Sequence, residues 1–210
     1  MATTTPNYGW TVPTSTDLVK DGATAIETLG DAIDASMNTA LGTKKAGMVL
    51  LNTTSFSGVS SQSINDVFSS TYDNYLIEYK NTTCSANSTL SLRYRLSGTD
   101  TSANYAQQRL YAQGTSVSAN RDGLGTDEIF VNDISSTDPA TSSQTFIINS
   151  PNKAEHTILN GLGGTWFDGT TLYAGIICGI QRSTTQFTGF TLITSTGTFG
   201  GTVSVYGLNK

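Results

Sequence analysis

Strict alternation of apolar and polar residues constrains this chain more than any other feature of its sequence. In residues 90–96 the side chains of Leu90, Leu92 and Tyr94 fall on one side of an extended backbone, and Ser91 and Arg93 fall on the other. A period of two is typical of a β-strand with one buried face. The same pattern predicts about eight to ten short strands, the clearest at 75–79, 90–96, 105–112, 129–134, 145–149, 172–181, 187–194 and 202–208, with weaker candidates at 48–51 and 157–159.

Turn-forming residues separate these segments, and no helical pattern lies between them. The turn signals are residues 97–100, 121–123, 168–170 and 195–197. Charged residues make up 13% of the chain, about half the usual share, while the patterned aromatic residues argue against a disordered chain. We therefore predict a mainly β protein in which residues 47–210 form an antiparallel β-sandwich of jelly-roll type.

One amphipathic helix is predicted before the β region, over residues 14–41. Thr14 is a candidate N-cap with Asp17 three residues later, and Gly42 is a natural stop. Its apolar stripe is narrow and consists of Val19, Ile26, Leu29 and Ile33. Such a helix is not stable alone. It either packs on the rest of its own chain or pairs with copies of itself, and the polar link at 42–47 favours pairing.

Residues 1–13 contain two aromatic side chains, Tyr8 and Trp10, among turn-forming residues. This segment is either a flexible tail or a docking peptide that becomes ordered against another protein.

The charge balance and hydropathy exclude several classes of partner. A net charge of −5 with scattered basic residues argues against nucleic-acid binding. No apolar run approaches the ~18 residues of a membrane span, so no membrane insertion is expected. The N-terminus lacks the basic and apolar regions of a signal peptide, and we expect synthesis in a cytoplasm.

The sequence contains no recognisable catalytic or metal-binding constellation. His156 is the single histidine and has no nucleophile motif near it. Cys84 and Cys178 are expected to be small buried apolar residues. The glycines at 123–125 and 161–164 are assigned to turns, and the acidic stretch at 122–133 lacks the spacing of a calcium loop. We predict a protein that is not an enzyme and that has no cofactor and no metal.

A surface that holds sugars usually combines an aromatic ring with a few polar side chains. Tyr105, Arg109 and Tyr111 alternate with Ala106 and Leu110 along one predicted strand, and Trp166 stands in a glycine-rich segment that we predict to be a loop. Candidate ligand-binding residues are therefore Tyr105, Arg109, Tyr111 and Trp166. The alternative is that these rings fill the core or a subunit interface.

Several segments resemble virion structural proteins of tailed bacteriophages, notably tail-fibre and minor tail proteins. The similar segments are residues 6–10, 16–23, 26–34, 67–75 and 197–207. The resemblance implies a virion-attachment segment at 1–13, a helical stalk at 14–46 and a β-sandwich head at 47–210.

The same resemblance implies a homotrimer, in which the helices form a short bundle. The chain would bind another virion protein of the tail or capsid through its N-terminus and present the head to a host surface glycan or protein, after assembly in the host cytoplasm. Because the stalk is short, a capsid decoration or head-fibre protein is the alternative.

Overall fold

The computed structural model describes residues 3–16, 18–41 and 47–209 and divides the chain into two compact units. We call Met1–Gly47 the N-terminal unit and Met48–Lys210 the β-unit. Each unit has its own secondary structure, described separately below.

The N-terminal unit combines a small hairpin with one helix. Its elements are β1 (Thr3–Thr4), β2 (Thr11–Val12), a 3-10 turn at Val19–Asp21 and α1 (Gly22–Leu41). The hairpin closes because the Thr5 N–H donates to the Trp10 carbonyl at 2.9 Å and Gly9 adopts a φ of 66°, which a residue without a Cβ tolerates. Strand β2 packs against α1.

The helix begins later than the sequence pattern predicts. Its first residue is Gly22, so Thr14 does not cap it, and the Thr14 hydroxyl instead lies 3.0 Å from that of Thr16. The Asp17 of the predicted capping box lies outside the described residues. Leu18 precedes the 3-10 turn with an extended backbone and provides no side-chain cap.

The β-unit is built from two antiparallel sheets. Its strands are β3 (Met48–Val59), β4 (Ser61–Ile64), β5 (Asn74–Cys84), β6 (Ser88–Leu96), β7 (Thr99–Asp100), β8 (Tyr105–Gln113), β9 (Ser116–Thr126), β10 (Ile129–Ile134), β11 (Ser143–Asn149), β12 (Thr157–Phe167), β13 (Thr171–Gln181), β14 (Gly189–Thr194) and β15 (Phe199–Leu208). A 3-10 turn at Pro139–Thr141 precedes β11. The larger sheet has the order β3-β15-β5-β11-β12-β13-β8-β9, and the smaller has β10-β6-β14-β4 with β7 beside β6.

The structure confirms the mainly β prediction with one N-terminal helix, and it corrects three turn assignments. The turn predicted at 121–123 and the glycines at 123–125 lie inside β9, and the glycines at 161–164 lie inside β12. Strand β9 was not predicted, since its Asp122-Gly123 pair resembles a turn. The predicted turns at 168–170 and 195–197 do join consecutive strands, and of the turn predicted at 97–100 the first two residues join β6 to β7, whereas the last two form β7.

The core lies between the two sheets. The ring of Phe190 on β14 of the smaller sheet meets Phe146 on β11 of the larger sheet, with centroids 6.5 Å apart. Phe190 also stacks on Phe68 at 5.8 Å. Burial of such large rings drives the packing of the two sheets, giving the β-unit the layered arrangement of a sandwich.

The cysteines differ from their predicted burial. Cys178 is exposed and Cys84 is half-buried, and both thiols are free. Cys178 lies on the outward side of β13, because its neighbours Ile177 and Gly179 point into the core.

Candidate functional site

The strongest candidate site in the β-unit is built on the inward side of β8. Tyr105 and Gln107 are buried, Arg109 and Tyr111 are half-buried, and the intervening Leu110 is exposed. Because successive side chains of a strand point to opposite faces of the sheet, Arg109 and Tyr111 point into the space between the sheets. We name the cavity they line the Arg109 pocket. Its other walls include Phe130, Asp133, Gln144, Gly163, Tyr173 and Gly175.

The Arg109 guanidinium lies between two aromatic rings. Its carbon is 4.8 Å from the centroid of the Tyr111 ring and 4.1 Å from that of Phe130. Both distances are within the range of a cation–π contact. Arg109 takes part in none of the ion pairs formed among the described residues. The two rings are therefore cation–π partners of this guanidinium.

Asp133 on β10 is a second charged group in the Arg109 pocket. Burial raises the pKa of this carboxyl above its ordinary value, and the positive charge of Arg109 lowers it by a smaller amount. The proton is held more tightly than on an exposed aspartate, because a carboxylate loses hydration in this cavity.

Two glycines make room for the side chains of the pocket. A Cβ at Gly175 would lie 2.7 Å from the Cβ of Tyr111, and a Cβ at Gly163 would collide with the Gln144 side chain. The amide nitrogen of Gln144 donates to the Val131 carbonyl. Its Oε1 atom is buried and has no hydrogen-bond partner among the described residues.

The Arg109 pocket has a volume of about 30 Å³. This is room for a water molecule with polar partners and is far below the ~300 Å³ of an ordinary small-molecule pocket. The pocket can hold a small polar guest next to Gln144, and it cannot hold a sugar ring in this form.

Tyr105, the next predicted ligand residue, belongs to the core. Its ring is fully buried, and its hydroxyl accepts a hydrogen bond from the Tyr94 N–H at 2.8 Å. The hydroxyl of Thr101 lies 2.7 Å from the same atom. Burial raises the pKa of Tyr105 to about 12. Its ring is therefore inaccessible to a ligand.

Trp166 lies in strand β12 rather than in the predicted loop, and it faces away from the other three residues. Its neighbour Thr165 is buried, whereas Trp166 is 38% exposed on the outer side of the larger sheet. Its cross-strand partner is Leu172, and the two line an open depression of about 460 Å³ with Asp138. The four predicted ligand residues therefore belong to three separate places, with only Arg109 and Tyr111 together.

The two aromatic residues predicted for attachment lie next to each other in the N-terminal hairpin. Tyr8 stacks on Trp10 with centroids 5.1 Å apart, and 69% of Tyr8 is exposed. The Trp10 indole N–H donates to the Ser36 hydroxyl of α1 at 2.8 Å. Trp10 is thus engaged within its own unit, while one face of the aromatic pair is open.

The predicted interface residues fall into two groups. Val19 in the 3-10 turn is 97% exposed and Ile26 on α1 is 66% exposed, whereas Leu29 and Ile33 are half-buried. Leu29 and Ser36 are seven residues apart, which places them on one helix face. Because Trp10 binds Ser36, the hairpin lies at that face, and it leaves Val19 and Ile26 open.

Two residues of the acidic stretch at 122–133, Asp127 and Glu128, are used in ion pairing. Arg93 on β6 pairs with Asp127 at 2.5 Å and with Glu128 at 3.1 Å.

No group of three or more His, Cys, Asp or Glu residues in the described part of the chain could hold a metal ion. His156 is exposed immediately before β12. In the same residues, no helix is long and apolar enough to cross a membrane.

Sequence reasoning missed the glycines that shape the Arg109 pocket. Gly161 and Gly163 recur with a period of two on β12, and Gly175 and Gly179 lie on the inward side of β13. Glycine at every second position beside β-branched residues is the signal that could have indicated a strand packed closely under large neighbours.

Comparison with known proteins identifies no relative for this chain. No protein family, no curated protein and no solved structure matches it.

Proposed function

We propose that this chain is a non-enzymatic structural protein of a tailed-bacteriophage virion, a tail fibre or tail-associated protein. The N-terminal unit anchors it, and the β-unit forms a jelly-roll-like head that meets the host surface. The resemblance of residues 6–10, 16–23, 26–34, 67–75 and 197–207 to such proteins supports this proposal. So does the division of the chain into a small helical unit and a larger β-unit.

The observation that carries the proposal is the exposed apolar side of the helical segment. Val19 and Ile26 are 97% and 66% exposed, and Met37 is 53% exposed. Apolar side chains at this spacing are stabilised when helices associate and remove them from water. We propose that three chains form a short parallel bundle, in which Leu29 and Ile33 lie at the edge of the seam.

The N-terminal hairpin supports the attachment role. A two-strand hairpin alone is marginally stable in water, and this one is held on α1 by the Trp10–Ser36 hydrogen bond. The exposed face of Tyr8 then offers a rigid aromatic surface for a virion partner.

The length of the helix favours the second candidate, a capsid decoration or head-fibre protein. Helix α1 has 20 residues and is about 30 Å long at 1.5 Å per residue. That length fits a short spike on a shell better than the shaft of a long fibre.

For host contact, the depression at Trp166 is the surface that best suits a glycan. Its exposed indole and the neighbouring Asp138 combine an aromatic face with a hydrogen-bonding group. The Arg109 pocket is too small for this role.

Localising the chain in assembled particles tests the proposal. We expect cryo-electron microscopy of particles with a tagged copy to place it at the tail, and a shell position would favour the decoration protein. Removing residues 1–13 should abolish incorporation without unfolding the β-unit. A chain that is absent from particles would refute both functions.

Oligomeric state is a separate test of the helical bundle. Ile26→Asp should weaken assembly, because it places a charge on the exposed apolar side that carries the seam, while Leu50→Asp on exposed β3 serves as the control. A wild-type monomer at micromolar concentration, measured by sedimentation, would refute the trimer.

A further inference from the structure

The outward side of the larger sheet carries a row of exposed aliphatic side chains. Leu162 on β12 pairs with Ile176 on β13, which pairs in turn with Leu110 on β8. Their exposed fractions are 62%, 56% and 48%. The solvent side of an antiparallel sheet is ordinarily polar, so three aligned aliphatic residues facing water mark a candidate contact surface.

The row is part of a larger patch. Ile147 and Ile158 are each 38% exposed on the same side. We call these five residues, Leu110, Ile147, Ile158, Leu162 and Ile176, the outer apolar face. With roughly half of each side chain exposed, it presents on the order of 500 Å² of apolar surface, at the upper end of what monomeric proteins expose. A trough of about 530 Å³ lies along it, with Leu76 in its wall.

Charge is confined to the margins of this face. The outward positions of the four central strands β11, β12, β13 and β8 are apolar or neutral. Glu78 and Lys80 stand on β5 at one margin, and Arg121 stands on β9 at the other. An uncharged centre with a polar rim is the arrangement of a protein–protein interface.

We propose that the outer apolar face of a second copy of this chain covers this face, sheet against sheet. Each copy has a net charge of −5, so contact through charged surfaces is repulsive, whereas this face brings no like charges together. Two copies would bury about 1,000 Å² of apolar surface, which meets the lower limit of a specific interface. A partner with charged groups would form no ion pair at the centre of the outer apolar face, because no charged side chain lies there.

The geometry of twisted sheets is compatible with this contact. Two sheet faces pack about 10 Å apart with their side chains interdigitated. Side chains that project from one copy would enter the trough of the other. The contact is separate from the helical bundle, and it holds whether or not the chain belongs to a virion.

The first test is a charge placed at the centre of the face in the full chain. Leu162→Glu should weaken self-association at least tenfold in sedimentation equilibrium, since the carboxylate would be buried in the contact. Leu96→Glu is the matched control, an exposed leucine on β6 of the smaller sheet. Both changes are also made in the Ile26→Asp chain, where loss of helical association leaves the sheet contact to be measured alone.

Cys178 allows a second test that needs no disruptive change. It is exposed on the same side of β13 as Ile176, so two copies packed face to face bring their Cys178 thiols near each other. A short bismaleimide should link wild-type chains into pairs. Cys178→Ser should abolish the product, and Cys84→Ser should leave it.

Three results would overturn the proposal. One is equal association of the wild-type and Leu162→Glu chains. Another is a Cys178 that reacts with a monofunctional maleimide but gives no linked pair. The third is a monomer in which Cys178 is protected from both reagents, which would show that a segment of the same chain covers the face.

Discussion

The two units of this chain differ in how far they bury their apolar side chains. In the N-terminal unit none of the described residues is buried, although Val19, Ile26 and Met37 are apolar. The β-unit instead encloses a continuous core of aliphatic and aromatic side chains between its sheets. The β-unit therefore has an apolar core of its own, whereas the described residues of the N-terminal unit do not enclose one.

The space around glycine residues also differs between the two units. A Cβ added at Gly30 of α1 meets no heavy atom within 4 Å, whereas one added at Gly175 of β13 meets the Leu110 carbonyl oxygen at 2.8 Å. Glycine in the helix is a cost in conformational entropy. In the β-unit it is a packing requirement, because neighbouring strands leave no volume for a side chain.

Truncating a core ring should have the largest effect and should separate the two units. Phe190→Ala removes a buried ring that contacts Phe68 and Phe146, and we expect a loss of about 3–5 kcal/mol in the free energy of unfolding. Tyr8→Ala in the N-terminal unit should change it by less than about 0.5 kcal/mol, because Tyr8 is exposed. Chemical denaturation followed by near-ultraviolet circular dichroism measures both. Equal effects would contradict the contrast.

Alanine at the two glycines should act with opposite signs. Gly175→Ala should destabilise the β-unit by about 1–3 kcal/mol, because strand β8 must move to admit the methyl group. Gly30→Ala should favour the helix by about 1 kcal/mol. Far-ultraviolet circular dichroism reports the gain in helix, and the thermal transition of the β-unit reports the loss. A neutral Gly175→Ala would show that β8 can move away from Gly175 at little cost.

A double-mutant cycle tests how the hairpin is held on α1. Trp10→Phe and Ser36→Ala each remove one partner of the indole–hydroxyl hydrogen bond, and each should reduce the stability of the N-terminal unit by about 0.5–1.5 kcal/mol. The double variant should cost little more than either single one. Helical ellipticity during urea titration gives the values. Fully additive effects would show that the bond does not form.

Period-two patterning was sufficient to place most strands and to group Tyr105, Arg109 and Tyr111 on one side of β8, but it did not show that this side faces the core. It failed where glycine or aspartate stands inside a strand, as at Gly163 and Gly123, because local propensity cannot register the close approach of a neighbouring strand. The helix start was missed because Gly22, a poor helix former, begins the helix, whereas Thr14 and Thr16 interact with each other.

The candidate site was less predictable than the strands. Trp166 and Arg109 have suitable chemistry, but strand alternation in β12 and β8 places them on opposite sides of one sheet. Which strands are neighbours, and in what register, depends on contacts far apart in sequence. A single sequence does not encode those contacts in a local pattern.

The smallest expected effect is a pH dependence at Asp133. Burial raises the pKa of its carboxyl in the folded chain above its ordinary value, which is about 4 when unfolded. Between these two pKa values the folded state binds more protons than the unfolded state. The contribution of Asp133 to the free energy of unfolding therefore falls as the pH rises through that window. This contribution is lowest when the carboxylate is ionised. Asp133→Asn should be more stable than the wild type at pH 7, and the difference should shrink as the pH is lowered toward 4.

Asp168→Asn is the control with the opposite sign, because the Thr170 hydroxyl lowers the pKa of Asp168 and its contribution is lost on acidification. Urea denaturation across this pH range measures both differences. A pH-independent difference for Asp133→Asn would show that its carboxyl is hydrated as in the unfolded chain, and the interior of the Arg109 pocket would then be as open to water as the surface of the N-terminal unit.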